Sequence, residues 1–407
     1  MEIIQGGVTA SKGFKAAGMN AGIKNKTKKD MAMIFSEKPC VTAGTFTTNK
    51  VFAAPVKWDK NIVYNSEYSQ AVVINSGVAN ACTGEEGDNA CLREAQAVSK
   101  ALGIPENSVL VASTGVIGMQ LPMDTMVAGI NALPSMLADT QEAGTQAAEA
   151  IMTTDTVKKQ WAVETVLDGK KVTIGGIAKG SGMIHINMGT TLSFVTTDAA
   201  ISSEMLKSAL IEAADVSYNM VSVDGDTSTN DTLAIMASGY AGNKEITEKN
   251  DDYKTFTAVL TDAFKKVAKK LAKDGEGATK LLICKVDGAK DDKSAKIISK
   301  SIICSSLVKA AMFGADANCG RILCAIGYSG AETDVKRIDV SYKSAKGEIL
   351  VCKDGNGLVF DEDKAKEILL EDEIEILVKL GDGNASAEAY GCDLTYDYVK
   401  INGDYRT

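Results

Sequence analysis

One stretch of the sequence decides which kind of fold to expect: Lys179-Gly-Ser-Gly-Met-Ile-His-Ile-Asn-Met-Gly189-Thr190-Thr-Leu-Ser193. It places a hydroxyl directly after a glycine and among small residues, so the backbone can bend sharply beside a reacting peptide. If Oγ of Thr190 attacks the carbonyl of Gly189, the peptide rearranges to an ester that water hydrolyses. Thr190 then keeps a free α-amino group, which can act as the base for its own hydroxyl. The stretch therefore predicts a chain that cuts itself and carries an N-terminal threonine nucleophile.

Length and composition limit the class of protein. The chain has 407 residues, of which 45% are hydrophobic and 24% are charged, and these values are typical of a soluble globular protein with two structural units. The formal net charge of −9 argues against nucleic acid as a partner. No apolar run has the length of a membrane span, and the start Met-Glu-Ile-Ile-Gln-Gly-Gly lacks the features of a signal peptide. We therefore expect a cytoplasmic protein with no membrane association.

Histidine and cysteine usage narrows the possible chemistry. His185 is the single histidine, so a Ser-His-Asp or Cys-His mechanism, or a histidine metal site, would have to be built around one imidazole. The nine cysteines are scattered and include no Cys-x-x-Cys pair, which favours reduced core residues over a disulfide framework or a zinc site. The sequence predicts a catalytic base other than histidine, and no metal.

Apolar periodicity predicts a layered α/β architecture. The first hundred residues alternate short apolar runs with Gly, Asn and Ser clusters, which is typical of strands and loops. Predicted helices and strands do not alternate as regularly as in a doubly wound sheet, so we expect a layered α/β fold, an αββα-like sandwich with mixed sheets. We also expect a second α/β domain at about residues 280–407. The predicted strands are 70–80, 109–115, 280–286, a buried strand at 321–326 and a hairpin at 338–352, and the predicted helices are 123–151, broken near Pro134, 203–218, one around 264–271, and 293–312.

Two loops resemble ligand-binding motifs that they do not complete. The stretch 175–182 is rich in glycine and contains Lys179, but it lacks the Gly-x-x-x-x-Gly-Lys-Ser/Thr order of a phosphate loop. The stretch 223–235 spaces Asp224, Asp226 and Ser228 like a calcium loop, yet it lacks the glycine and the final glutamate of that motif. We expect a hydrogen-bonded turn of oxygen-rich side chains there.

Two further segments are candidates for chemistry. Ser113-Thr-Gly-Val-Ile-Gly places a hydroxyl and an unhindered amide at the end of a strand, a geometry that can direct donors at an oxyanion, although such junctions are common. Asp274-Gly-Glu-Gly-Ala-Thr sets Glu276 between glycines after a helix, where an ordinary helix C-cap is an equal alternative.

Together these segments resemble the ornithine acetyltransferase family, the bifunctional glutamate N-acetyltransferases of arginine biosynthesis. The resemblance covers essentially the whole chain, and the Lys-Gly-x-Gly-Met stretch with its threonine is its most specific part. The segments that carry it are 6–14, 113–118, 153–156, 179–197, 224–232, 274–280, 314–318 with 320–323, and 401–407.

The resemblance implies a function and a set of site residues. It implies cleavage between Gly189 and Thr190 into an α chain, residues 1–189, of about 20 kDa and a β chain, residues 190–407, of about 23 kDa, joined in an α2β2 heterotetramer. It implies acetyl transfer from N-acetyl-L-ornithine to L-glutamate by a ping-pong route through acetyl-Thr190, with acetyl-CoA as a second donor in some members and no cofactor. The residues carried over are Thr190 as the nucleophile, Thr114 and Gly115 as the oxyanion hole, and Thr153, Lys179, Thr190, Glu276, Asn402 and Thr407 as substrate contacts.

The sequence departs from the family pattern beside the predicted cut. The family more often has alanine before the nucleophile and Pro-Asn-Met ahead of it, whereas this chain has His185-Ile-Asn-Met-Gly-Thr. Glycine at the cut is sterically permissive, so the departure bears on the rate of cleavage. His185 is either a proton relay or a solvent-facing or packing residue.

Two other functions remain as alternatives. A self-processing amidase or aminopeptidase would share the cleavage and the acyl-enzyme but give the acyl group to water. An uncut binding or structural protein would keep Thr190 internal. Transfer versus hydrolysis separates the first alternative, and a denaturing gel separates the second.

Overall fold

The structure is a computed structural model that describes residues 1–25, 27–66, 68–185 and 191–404. The chain forms two compact units. Unit 1 contains residues 1–180, 186–219 and 227–267, and unit 2 contains residues 181–185, 220–226 and 268–407. Among the described residues, no helix is both long and apolar enough to cross a membrane.

Unit 1 is built on a nine-stranded mixed sheet. Its strands follow the order β1-β6-β7-β8-β9-β3-β4-β5, with β2 paired to β3 off this path. The pairs β4·β5 and β8·β9 are parallel and the other pairs are antiparallel. The strands are β1 (Glu2–Ile4), β2 (Phe14–Met19), β3 (Met31–Phe46), β4 (Tyr68–Val78), β5 (Val109–Val116), β6 (Lys159–Leu167), β7 (Lys170–Lys179), β8 (Leu192–Thr197) and β9 (Thr232–Ala237). The helices are α1 (Ala54–Asn65), α2 (Gly84–Leu102), α3 (Met123–Ala132), α4 (Gln141–Ala150), α5 (Ser203–Asp215) and α6 (Asp251–Lys273), whose residues up to Val267 belong to unit 1.

Alternating side chains explain why this sheet is covered on both faces. Val111 of β5 lies in an apolar cluster with residues of α2 and α3, whereas its neighbour Leu110 lies in a second cluster with Phe194 of β8. On the opposite face of β8, Ser193 Oγ is 2.8 Å from the hydroxyl of Tyr218, whose ring packs edge-on against Phe264 of α6. Helices α2 and α3 thus pack on one face of β5, as expected of a layered α/β fold.

Unit 2 has a smaller mixed sheet. Its six strands follow the order β13-β12-β11-β14-β10-β15, in which only β10·β14 is parallel among the described pairs. The strands are β10 (Leu281–Ala289), β11 (Asp339–Ser344), β12 (Gly347–Lys353), β13 (Asn356–Gly357), β14 (Glu373–Lys379) and β15 (Ala385–Cys392). The helices are α7 (Asp292–Cys304), α8 (Ser306–Phe313), α9 (Cys319–Gly327), α10 (Glu362–Leu369) and α11 (Tyr396–Gly403).

The predicted α/β class with mixed sheets is confirmed, and four local predictions are wrong. Residues 321–326 are helical, because Asn318 caps α9 by accepting from the Arg321 amide and Ile322, Ala325 and Ile326 form one buried helical face. The first hundred residues contain α1 and α2 besides strands and loops. The predicted helix 293–312 is two helices, because Ser305 ends α7 and caps α8. All nine cysteines are unpaired, and Cys82 and Cys324 are exposed rather than core residues.

Helix α1 covers the edge of β5, the last strand of the unit 1 sheet. Trp58 Nε1 donates to the Val109 carbonyl at 2.9 Å, and the Val111 amide donates to Asp59 Oδ1 at 2.8 Å. Two successive side chains thus satisfy backbone groups that an edge strand would otherwise leave unpaired. This fixes the path of β5 three residues before Thr114.

The carboxyl group of Glu94, whose charge acts on Asp59, makes the free energy of unfolding depend on pH. Glu94 of α2 is fully buried, and within the described part of the chain neither of its oxygens has a hydrogen-bond partner. Burial raises its pKa to about 8, and burial also raises the pKa of Asp59, to which the charge of Glu94 contributes. Since the unfolded chain releases the Glu94 proton near pH 4.3, its stabilising effect is complete below that pH and is lost as the pH rises to about 8.

Replacing Glu94 with glutamine is therefore expected to remove this pH dependence. Glutamine has the same shape and stays neutral, so the free energy of unfolding of the variant relative to wild type should rise by about 2–4 kcal/mol between pH 5 and pH 8. Denaturant unfolding at the two pH values measures this. The exposed Glu86 of the same helix, changed to glutamine, is the control and should not alter the pH dependence. Parallel stability curves for Glu94→Gln and wild type would contradict the assignment.

Candidate active site

Thr114 and Gly115 lie at the end of β5, where Gly115 has a conformation that favours glycine. Gly115 has φ +135°, and a Cβ built on it would lie 2.6 Å from the amide nitrogen of Val78 and overlap the carbonyl group of Gly77. The register between β4 and β5 shifts at this point, where Gly77 pairs with Gly115. Glycine is therefore required for the strand to turn here, and the Gly115 amide carries no side chain that could shield it.

Lys179 ends β7 and reaches the side chain of Thr114. Its Nζ donates to Thr114 Oγ1 at 3.2 Å, and both side chains are buried. The backbone of Lys179 pairs with Leu192, the first residue of β8, which follows Thr190 by two positions. A buried ammonium beside the hydroxyl of Thr114 gives this region a fixed positive charge.

Asp155 is the carboxylate that balances this charge. Its Oδ1 accepts from Lys159 Nζ at 2.6 Å and from the Gly180 amide at 2.7 Å, and its Oδ2 accepts from the Thr153 amide at 3.1 Å. Burial alone would raise the pKa of Asp155, but Lys179, Lys159 and the Gly180 amide together hold it below its usual value. Asp155 therefore stays ionised and connects Thr153 with the segment that carries Lys179.

Asn230 and Asp231 directly precede β9. Asn230 Nδ2 donates to the carbonyls of Ala79 and Ser113, at 2.6 and 2.8 Å, and so ties the start of β9 to the residue before Thr114. Burial raises the pKa of Asp231 to about 7, although Lys179 and a hydrogen bond with Ser228 oppose the rise. The parallel pairing of Leu192 with Thr232 sets Asp231 level with the start of β8.

In unit 2, Glu276 and Asn402 form a second group. Asn402 Nδ2 donates to Glu276 Oε2 at 2.8 Å, and Glu276 is only 7% exposed. The Glu276 amide donates to the Ser181 carbonyl at 2.9 Å, and a Cβ on Gly182 would lie 2.5 Å from Glu276 Oε1. The second glycine of the Lys-Gly-Ser-Gly motif therefore makes room for the carboxylate of Glu276.

Adding that Cβ should displace the carboxylate. In Gly182→Ala we expect Glu276 to rotate away from Asn402, because the overlap involves the carboxylate and the backbone segment is held by other hydrogen bonds. The resemblance implies that Glu276 contacts substrate, and a charged hydrogen bond contributes about 1.5–3 kcal/mol. We therefore expect kcat/KM to fall about 10- to 100-fold, close to the value for Glu276→Ala. Steady-state kinetics measures this. Gly327→Ala at the end of α9 is the control, because the added Cβ meets nothing within 4 Å and Gly327 does not have a positive φ. Wild-type kinetics in Gly182→Ala would contradict the role.

Asp224 and His185 hold the segment just before the predicted cut. Asp224 accepts from the amides of Met183 and Ile184. Within the turn at 223–232 it also accepts from the Asp226 amide, and the Asn230 amide donates to Ser228 Oγ, so internal hydrogen bonds organise the turn. His185 Nδ1 is 3.2 Å from Ser222 Oγ and 3.4 Å from Cys304 Sγ. Burial lowers the pKa of His185 to about 4, and the charge of Lys300 adds to the effect. The imidazole is therefore neutral near pH 7 and lies against Ser222 and Cys304.

The structure brings some of the predicted site residues together. Thr114, Gly115, Lys179 and Thr153 are connected within unit 1 by the hydrogen bonds of Lys179 and Asp155, and Glu276 and Asn402 are connected within unit 2. Gly189, Thr190 and Thr407 lie outside the described residues. The supporting residues Asp155, Asn230, Asp231 and Gly182 are not predicted individually, although the segments 153–156, 224–232 and 179–197 contain them.

Comparison with known proteins identifies relatives along the whole chain. A model of the ArgJ family matches residues 15–407. The arginine biosynthesis bifunctional protein ArgJ 1 of Clostridium acetobutylicum is 52% identical over 394 residues, which cover 97% of this chain and 96% of that protein. The arginine biosynthesis bifunctional protein ArgJ of Bacillus subtilis is 45% identical over 404 residues, which cover 99% of this chain and 97% of that protein.

Solved structures also match. The arginine biosynthesis bifunctional protein argJ of Bacillus halodurans is 44% identical with a TM-score of 0.44, and the match covers 46% of this chain and 96% of that chain. The ornithine acetyltransferase of Mycobacterium tuberculosis in complex with ornithine is 41% identical with a TM-score of 0.43, and the match covers 46% of this chain and 98% of that chain.

Proposed function

Because the chain belongs to the ArgJ family, we propose that it moves an acetyl group from N-acetyl-L-ornithine to L-glutamate through an acetyl ester on Thr190. Its relatives place the chain among the acyltransferases of arginine biosynthesis. The observation that best supports the specific reaction is the group at the end of β5, where buried Lys179 donates to Thr114 beside a Gly115 amide without side-chain cover. Donors fixed in a buried site are what acyl transfer from an amide requires.

The reaction begins with cleavage of the chain before Thr190. The new α-amino group takes the proton from Oγ of Thr190, and Oγ attacks the acetyl carbonyl of N-acetylornithine. Negative charge develops on the carbonyl oxygen, and the Thr114 hydroxyl and the Gly115 amide donate to it. Collapse of the intermediate gives the acetyl ester and releases ornithine, whose amine takes up the proton. The amine of glutamate then attacks the ester and leaves as N-acetylglutamate, which restores Thr190.

Charged residues bind the carboxylate and ammonium groups of the two amino-acid substrates. Lys179 serves as the counter-ion of the substrate α-carboxylate, and Thr153 supports it through Asp155. Glu276, oriented by Asn402, accepts from the ammonium of ornithine. Thr407 completes the substrate contacts in this proposal. No metal or cofactor takes part in any of these steps.

Strand pairing keeps the two fragments together after cleavage. β8 and β9 belong to the β chain, and they pair with β7 and β3 of the α chain inside one sheet. Residues 181–185, at the end of the α chain, lie in unit 2, where Val223 donates to the Ile184 carbonyl at 2.7 Å. Separating the fragments would expose these strand edges, so the processed enzyme remains one folded αβ pair. Two such pairs form the proposed α2β2 heterotetramer in the cytoplasm.

Acetyl-CoA is the proposed second donor. The relatives are named bifunctional proteins of arginine biosynthesis, and a donor that acylates the same Thr190 would add a second activity without a second site. Both donors give the same acetyl ester, and glutamate removes it in both cases.

The test is whether release of ornithine depends on the acceptor. Purified protein is incubated with N-acetylornithine with and without glutamate, and ornithine and N-acetylglutamate are measured. We expect one equivalent of ornithine per active site without glutamate, and continuous equimolar formation of both products with it. Continuous ornithine and acetate release without glutamate would instead show a hydrolase that gives the acetyl group to water.

A further inference from the structure

Lys24 lies on a loop that a buried carboxylate holds in place. The amides of Ala21, Ile23 and Lys24 donate to the carboxylate of Asp30 at 2.6, 2.6 and 2.9 Å. Asp30 is fully buried and directly precedes β3, and its carbonyl accepts from the Ser76 amide of β4. Asp30 thus binds the loop through its side chain and the sheet through its backbone carbonyl. These bonds fix the backbone of Lys24.

The side chain of Lys24 packs against Gly77 of β4, beside the proposed oxyanion hole, and its ammonium lies next to Thr153 in the sequence, at Met152. Its Cγ lies over Gly77, where a Cβ would come within 2.8 Å of it, and Gly77 pairs with Gly115 in the next strand. Its Nζ donates to the carbonyl of Met152, the residue before Thr153. Lys24 therefore runs from the neighbour of Gly115 to the neighbour of Thr153, all within unit 1.

The ammonium of Lys24 has no ion pair within the described ranges. Nζ donates to a neutral carbonyl, and no carboxylate of the described residues lies at salt-bridge distance from it. Burial lowers the pKa of Lys24 to about 8, and the nearby charge of Lys179 lowers it further while Asp30 and Asp155 oppose the shift. A half-buried cation next to a second cation is stabilised when an anion binds between or beside them.

We propose that Lys24 binds the side-chain carboxylate of the acetyl acceptor and so determines the preference for an acidic amino acid in the second half of the reaction. The inference rests on the proposed function. Both amino-acid substrates carry an α-carboxylate, for which Lys179 suffices, but only the acceptor glutamate carries a second carboxylate. A second fixed ammonium in this region has a ligand only when that dicarboxylate is bound.

The half-reactions of a ping-pong enzyme can be measured separately. Exchange of labelled ornithine with N-acetylornithine reports the first half, and exchange of labelled glutamate with N-acetylglutamate reports the second. In Lys24→Met we expect the glutamate exchange to fall about 10- to 100-fold, the range for loss of one charged hydrogen bond, while the ornithine exchange changes less than about threefold. Lys24→Arg should retain most of the glutamate exchange. Lys100→Met removes an exposed lysine of α2 and should leave both exchanges unchanged.

Glutamine as an alternative acceptor gives a measurement that does not depend on the amount of folded enzyme. It has the shape of glutamate without the charge, so the ratio of kcat/KM for glutamate to kcat/KM for glutamine should fall by about the same factor in Lys24→Met. An unchanged ratio, or equal losses in both exchanges, would overturn the role of Lys24. Absence of both exchanges in the wild-type protein would instead overturn the proposed function.

Discussion

Thr190→Ala is expected to yield a single full-length band of about 43 kDa with no acetyl transfer, whereas the wild-type protein is expected to yield bands of about 20 and 23 kDa. The methyl group cannot attack the Gly189 carbonyl, so the chain stays intact, and the proposed nucleophile and its amine base are lost together. Loss of a covalent nucleophile typically lowers the rate by about 10⁴-fold or more. Denaturing gels with intact-mass analysis, followed by the acceptor-dependent ornithine assay, measure both effects.

Two neighbouring substitutions make this result specific. Thr190→Ser retains a hydroxyl at the same place, and it should still be cut and should keep measurable transfer. Thr191→Ala removes the next hydroxyl along the chain, which the proposed mechanism does not use, and it should be cut like wild type. Two bands from Thr190→Ala would mean that another residue performs the cleavage, and an active uncut variant would exclude the N-terminal nucleophile altogether.

The sequence predicts this fold best where one periodicity extends over a long segment. The apolar residues Phe264, Val267, Ala268 and Leu271 repeat at helical spacing and lie buried in α6. Prediction fails where the apolar run is short. Residues 321–326 fit a strand and a helix equally well, and the choice is made by the Asn318 cap and by burial of one helical face. Likewise, Ser305 interrupts the predicted helix 293–312 because its side chain caps the next helix.

The candidate site likewise contains residues that local motifs predict and residues that only the fold brings together. Thr114, Gly115, Lys179 and Glu276 are found from the resemblance of local segments. Local motifs cannot predict the supporting residues, because their partners are far away in the sequence. Asn230 donates to the Ser113 carbonyl, and the Glu276 carboxylate occupies space that a Cβ at Gly182 would fill. Lys24 gave no signal at all, since a lysine in a lysine-rich loop is ordinarily a solvated residue.

Gly115→Ala should cause the largest loss of activity among substitutions outside the predicted nucleophile. The new Cβ would overlap the Gly77 carbonyl and approach the Val78 amide nitrogen to 2.6 Å, and alanine disfavours φ +135°. The strand end must therefore move, and the Gly115 amide moves with it. Since loss of one oxyanion donor costs about 2.7–4 kcal/mol, kcat should fall about 10²- to 10³-fold. Cutting of the chain should also slow if the same donors stabilise the intermediate of the acyl shift.

Gly118→Ala separates loss of the donor from simple backbone strain. Gly118 also has positive φ, at +80°, and lies in the turn just after β5, but a Cβ there meets nothing within 4 Å. Both variants carry a strain of about 1–3 kcal/mol, which lowers the free energy of unfolding, yet only Gly115→Ala displaces the amide. Rapid mixing with N-acetylornithine, normalised to the cut fraction, should show slow acetylation of Gly115→Ala and near-normal acetylation of Gly118→Ala. Equal acetylation rates in the two variants would remove Gly115 from the oxyanion hole, because strain would then be the only effect of the added methyl group.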